Sequence, residues 1–168
     1  MTIPLIAIDS ISFTAYVTPE PQGSMKAFIL KNKIDRNKDR AIVTSDNPDL
    51  KSFRQEVSKS ALHKRHEAGF YEVMFIKHVP VVAEMKFYFA KPPSVSSKRT
   101  SHVVRPDIDK LQRSVFDSLK GIIYFDDSQV VDVHAKKEYG LPERVEITIS
   151  GKVVETPQSL FVTQDDCF

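Results

Sequence analysis

The sequence predicts an α+β fold in one compact domain, on three observations. Val81, Ala83, Met85, Phe87 and Phe89 alternate with Val82, Glu84, Lys86 and Tyr88, the period-two pattern of a strand with one buried face. Leu50, Phe53, Val57 and Ala61 recur instead at three and four residues, as do Ile108, Leu111, Val115 and Leu119, and each set makes the apolar stripe of a helix. The chain has 168 residues, 41% hydrophobic and 27% charged, which is enough apolar material for one core and too little polar bias for a disordered chain.

The remaining elements follow in order. Phe13 to Thr18 reads as a strand, and Pro19 to Ser24, with two prolines and a glycine, as the turn of a hairpin whose second strand is Lys26 to Leu30. Lys31 to Arg40 is a polar loop and Ala41 to Thr44 a short strand. Ser45, Asp46 and Asn47 then offer N-cap oxygens before Pro48, at the start of a helix that Gly69 closes. After the Val81–Phe89 strand, Lys91 to Pro106 carries Pro92, Pro93, several serines and Lys98-Arg99, the composition of an irregular basic loop that can grip phosphate. Asp107 is the natural N-cap of the second helix, and Gly121 stands at its left-handed C-terminal position. Val131, Val133 and Ala135, then Val145, Ile147 and Ile149 beyond a Gly140–Pro142 turn, mark two late strands. Residues 1–152 form the expected domain and 153–168 a tail without assigned structure.

A net charge of +2 does not by itself indicate a nucleic-acid partner, and its distribution matters more than the total. Between Lys86 and Arg113 seven basic residues face only Asp107 and Asp109, and no Lys or Arg follows Lys152. The single Cys167 excludes an intrachain disulfide and a cysteine-based zinc site, which fits a reducing cytoplasm. Met1 to Phe13 lacks a basic n-region and is interrupted by Pro4 and Asp9, unlike a signal peptide, and no apolar stretch approaches membrane-spanning length.

The chemistry concentrates between Arg105 and Lys137. Asp107 just outside the second helix and Asp109 in its first turn can point to one metal, and Asp126-Asp127 can join them if the chain turns tightly back after Gly121. Phosphodiester hydrolysis needs an activated water and neutralised phosphate oxygens, which Mg²⁺ held by carboxylates supplies. Arg113, one turn after Asp109, could reach the same phosphate, with Arg105 and Lys110 on its neighbours. Ordinary structure explains these residues equally well. Helices prefer Asp at the N-cap, worth about 1 kcal/mol. Asp109, Arg113 and Asp117 make a ladder of alternating sign worth about 0.2–0.5 kcal/mol per pair, and Asp126-Asp127-Ser128 suits a turn. His63 and His66 lack a third ligand, His78, His102 and His134 stand apart, and Ser24 has no paired histidine, so nucleophilic catalysis is set aside.

At these residues the chain resembles the RusA endodeoxyribonucleases, whose pattern reads here as Asp107-Ile108-Asp109-Lys110, Arg113, Asp117 and Asp126-Asp127-Ser128-Gln129-Val130-Val131. The segment Pro21 to Lys26 is similar to phage-borne members. The resemblance implies a mixed sheet flanked by two main helices. It also implies a Holliday junction resolvase that takes branched DNA as a homodimer, because a four-way junction has near two-fold symmetry and two strands to cut. It places Mg²⁺, or Mn²⁺ as a substitute, on Asp107, Asp109 and Asp127 with Asp126 in support. Arg113 replaces the usual lysine, which preserves charge and weakens any proton-donating role; Lys110 replaces an asparagine. Lys136 or Lys137 is the basic residue after the last catalytic segment, and with Lys98, Arg99, Arg105 and Lys110 completes the expected DNA contacts. If the protein is phage-encoded, its place is the bacterial host cytoplasm. A non-catalytic binder of branched DNA and a nuclease for flaps or single strands are the alternatives.

Overall fold

The computed structural model of the protein describes residues 10–23, 25–30, 40–45 and 47–151. Its elements run β1 (Ser10–Ala15), β2 (Met25–Leu30), β3 (Arg40–Ser45), α1 (Leu50–Glu67), β4 (Val81–Phe89), α2 (Ile108–Leu119), β5 (Val130–Tyr139) and β6 (Arg144–Gly151). Four strands make one sheet in the order β1-β6-β4-β5, with β4 and β5 parallel and the other pairs antiparallel. The α+β fold with a mixed sheet and two helices is therefore the one the sequence predicts.

β4 is central, and its alternation is read out in full: Val81, Ala83, Met85, Phe87 and Phe89 are buried. β6 adds Val145, Ile147 and Ile149 to the same core, α1 adds Phe53, Val57 and Ala61, and α2 adds Leu111, Val115 and Leu119. Burying side chains of this size contributes about 1.5–3 kcal/mol each for the larger ones, so these stripes fix how the helices lie on the sheet. The side chains of Glu84 and Lys86 leave β4 on the other face and stay exposed. There Arg144 lies 3.7 Å from the Tyr88 ring centre and Ser12 bonds Thr148 at 2.8 Å.

Small hydroxyls set the seam between the helices. Ser114 and Ser118 sit on the buried side of α2. The Ser114 hydroxyl lies 2.7 Å from the Glu20 carbonyl and 2.8 Å from that of Leu111, and Ser118 donates to the Ser114 carbonyl at 2.7 Å. Ser58 of α1 donates to the Ser118 carbonyl at 2.8 Å, tying the two helices together.

Two local expectations change. The first strand does not form a hairpin with β2: β1 pairs with β6, and β2 pairs with β3. Pro19 and Pro21 have no N–H to give a ladder, and the stretch 16–23 instead crosses as a connector to α2, where the Gln22 N–H donates to the Lys110 carbonyl at 2.9 Å. At α1, Asn47 acts one step outside the helix, its side-chain oxygen accepting from the Asp49 N–H at 3.0 Å. Gly69 does close α1: with φ +84° it lets Gly69 and Phe70 donate back to His66 and Arg65, the Schellman pattern. The expected polar loop 31–39 and the tail 153–168 lie outside the described residues.

Candidate active site

α2 presents the first carboxylates. Asp107 has the extended backbone of an N-cap, yet its side chain makes no capping hydrogen bond. It is exposed and stands 3.7 Å from the Lys110 ammonium, so the structural role that competed for this carboxylate is not realised. Asp109 and Arg113 lie one turn apart on the exposed side of the helix and make no hydrogen bond or ion pair among the described residues. The expected ladder stops there, because Asp117 is taken by Arg54 from α1. Arg54 also donates to Gln22.

The second pair is held differently. Asp126 caps a single 3-10 turn, Asp127–Gln129, by accepting from the Ser128 N–H at 3.0 Å. Lys120, just past the end of α2, reaches Asp126 at 2.5 Å and Asp127 at 3.6 Å. Its hydrogen bond holds Asp126 well below the usual carboxylate range, with the Ser128 amide adding to the effect. Asp126 in turn raises Lys120 above an ordinary lysine. Beneath them Tyr124 is buried and donates to the Phe116 carbonyl at 3.1 Å. Its phenol is pushed up by burial first and then by Asp127, Asp117 and Asp126, so it remains a neutral donor.

Gln129 builds the turn that carries these two carboxylates. Its side-chain oxygen accepts from the Phe125 and Asp126 amides at 2.9 and 3.0 Å, and its side-chain nitrogen donates to the Ile76 and Val79 carbonyls at 2.8 and 2.9 Å.

The two carboxylate pairs do not meet within one chain. The return after Gly121, φ +74°, folds against the C-terminal end of α2, with the Gly121 N–H donating to the Tyr124 carbonyl at 2.8 Å. Lys137 marks the opposite end, its ammonium held by the Val104 and Pro106 carbonyls at 2.9 and 2.6 Å beside Asp107. From Val130 to Lys137, β5 advances about 23 Å at 3.3 Å per residue, and the helix between Asp107 and Lys120 rises about 19 Å. Among the described residues no three His, Cys, Asp or Glu side chains gather as a metal cradle. Each end offers two carboxylates, which is what Mg²⁺ often takes when waters and phosphates fill its other positions. Among the described residues, then, one chain does not form a closed site of three carboxylates.

The basic residues divide by surroundings. Lys98, Arg99 and Arg105 are exposed and their side chains make no ion pair among the described residues. Lys136 and Lys137 point to opposite faces of the sheet, as consecutive strand residues must. Lys136 is exposed beside His134 and Lys86, whereas Lys137 anchors the segment leading into α2. Three of the five histidines have structural surroundings: His63 pairs with Glu67 at 3.0 Å, His66 packs on Tyr71, and buried His102 stacks on Phe89 at 4.2 Å. The sequence reading missed Lys120 and Tyr124 and used Gln129 only as part of a pattern. Asp126-x-x-Gln129 is nonetheless a legible capping box, and a lysine directly before Gly121 faces an Asp-Asp turn.

The family comparison puts this mixed α+β domain in a class of DNA-cutting enzymes, the endodeoxyribonucleases. Residues 29–150 fit the family described as Endodeoxyribonuclease RusA, a span that takes in every candidate residue above, and the chain belongs to that family. It is also 32% identical over 152 residues to Uncharacterized protein YqaN of Bacillus subtilis (strain 168), covering 84% of this chain and 96% of that protein. Among the described residues no helix is long and apolar enough to cross a membrane.

Proposed function

We propose that the protein is a Mg²⁺-dependent endonuclease that hydrolyses phosphodiester bonds in four-way DNA junctions and acts as a homodimer. The supporting observation is membership of the family together with Asp109 and Arg113 standing side by side on α2 with no partner among the described residues. Asp107 and Asp109 of one subunit with Asp126 and Asp127 of a second copy would hold the ion, which supplies an activated water and neutralises phosphate charge. Two copies are invoked because strand and helix lengths keep the pairs apart in one. Arg113 offers a planar cation for a phosphate oxygen, and Lys98, Arg99, Arg105, Lys110 and Lys136 offer backbone contacts that carry no sequence information. Mn²⁺ is expected to substitute for Mg²⁺.

The test is cleavage of a synthetic four-way junction with Mg²⁺, compared with Asp109→Asn. The wild type should nick opposed strands and the variant should lose activity by about 100-fold or more, the scale of a lost transition-state contact. A wild type that never cuts, or a variant that cuts equally well, sinks the reading. Non-catalytic binding of branched DNA is the second reading, favoured by the lack of a three-carboxylate cradle among the described residues. It predicts tight, salt-sensitive binding without cleavage in either metal. A panel of flap and single-stranded substrates separates the junction from other DNA structures.

A further inference from the structure

Next to the Asp126-Asp127 turn lies a recess of about 420 Å³ with Phe125 and Val131 on one side and the Lys77–Pro80 segment on the other. Phe125 leaves 47% of its surface exposed and Val131 58%, although each directly follows a residue that packs on the core, Tyr124 and Val130. The Lys77 ammonium sits 4.3 Å from the centre of the Phe125 ring, which makes this a cationic and aromatic surface together. The recess is built in advance of any ligand. Gln129 ties both of its walls, bonding the Phe125 and Asp126 amides with one atom and the Ile76 and Val79 carbonyls with the other. His78, between those two carbonyls, is held at φ +70°, a backbone conformation that residues other than glycine seldom adopt.

We propose that this recess is a base-binding subsite that takes one unstacked nucleobase of the DNA substrate against the part of the Phe125 ring that Lys77 leaves open, with the Lys77 ammonium beside its phosphate. An aromatic ring beside a cation is the usual platform for single-stranded nucleic acid, because every base has a π-face and every nucleotide a negative charge. The lysine on the ring favours a ligand that is flat and anionic, which a nucleotide is and an apolar surface is not. The subsite rests on the reading of DNA as the substrate, and it assigns Phe125 and Lys77 a part in choosing where the strand opens. A base that is already unpaired costs least to take out of its stack.

The experiment uses the full chain and four-way junctions carrying 2-aminopurine at successive positions around the crossover, bound in EDTA so that fluorescence and affinity are read without cleavage. Emission should rise at one position per strand as that base leaves its stack. Phe125→Ala should abolish the rise and weaken junction binding about 5- to 150-fold, the range for one lost base-stacking contact. Phe125→Trp should keep the binding. Lys77→Met, which leaves the ring in place, should weaken binding less and lower its salt dependence. Unchanged affinity and emission in Phe125→Ala would overturn the subsite while leaving the nuclease reading intact. Conversion of Phe125→Ala from dimer to monomer in sedimentation would also overturn it, assigning the ring to a subunit contact. A wild type that binds no junction would end both readings.

Discussion

Gln129→Ala removes four hydrogen bonds with one substitution, and the structure fixes what that should cost. Each bond lies between 2.8 and 3.0 Å, and the residue is 9% exposed. Net values of about 0.5–1.5 kcal/mol per bond set a ceiling near 6 kcal/mol. The freed amides belong to residues at the surface and recover some water, so a loss of about 2–4 kcal/mol is expected. In urea this moves the midpoint without changing the slope; on heating it lowers Tm by about 5–15 °C for a domain of this size. Gln129→Glu is the sharper variant, because it keeps the accepting oxygen and turns the other atom against the Ile76 and Val79 carbonyls. The introduced carboxyl should have its folded pKa raised above the free value of about 4.3. Its variant is then nearest to wild-type stability below that pH and loses stability as pH rises through the raised value. Junction cleavage should fall in both variants even at temperatures where they stay folded. A loss below about 1 kcal/mol in Gln129→Ala, with cleavage unchanged, would refute the view that this residue builds the carboxylate turn.

Other outcomes follow from named contacts. Arg65 is 6% exposed and donates to the Ile122 and Tyr71 carbonyls at 3.1 Å each, so Arg65→Met should cost about 2–4 kcal/mol by urea denaturation, and Arg65→Lys should not restore it because a single ammonium cannot replace the fork. Lys136→Ala and Lys137→Ala should separate cleanly. The first lowers the salt dependence of junction binding by about one phosphate contact and leaves stability unchanged, whereas the second loses about 1–2 kcal/mol by releasing the Val104 and Pro106 carbonyls. His102 is held below its ordinary 6.5 by burial and then by Lys137. Because the unfolded chain takes the proton first, this contribution is complete above the ordinary 6.5 and declines as pH falls from there toward the depressed folded value; His102→Phe should flatten this acid slope in pH-dependent melting.

What could be read from the chain depended on how local the signal was. The β4 alternation and the α2 stripe are imposed by burial on consecutive residues, and both elements lie where the sequence puts them. Strand pairing is not local: β1 finds β6 across the whole chain, and nothing in Ser10–Ala15 names that partner. The carboxylates follow the same division. Their identities and the turn after Gly121 were visible, but the direction of that turn depends on Tyr124 reaching the Phe116 carbonyl and on Gln129 reaching Ile76, contacts that spacing cannot express. Asp107 invited the capping interpretation and the folded chain does not use it. Lys137 looked like a surface cation because the carbonyls it holds belong to a loop whose path the sequence leaves open.

Ser114, Ser118, Arg65, Lys137 and the amide nitrogen of Gln129 share one habit: each donates to a main-chain carbonyl. A carbonyl is present whatever amino acid occupies the position. The frame behind the carboxylates is thus secured by one fixed partner at each joint, so the side chains around it are free to vary between relatives while the joints persist. Divergence should therefore collect on the DNA-facing surface and spare these few donors, letting substrate preference drift without dismantling the scaffold.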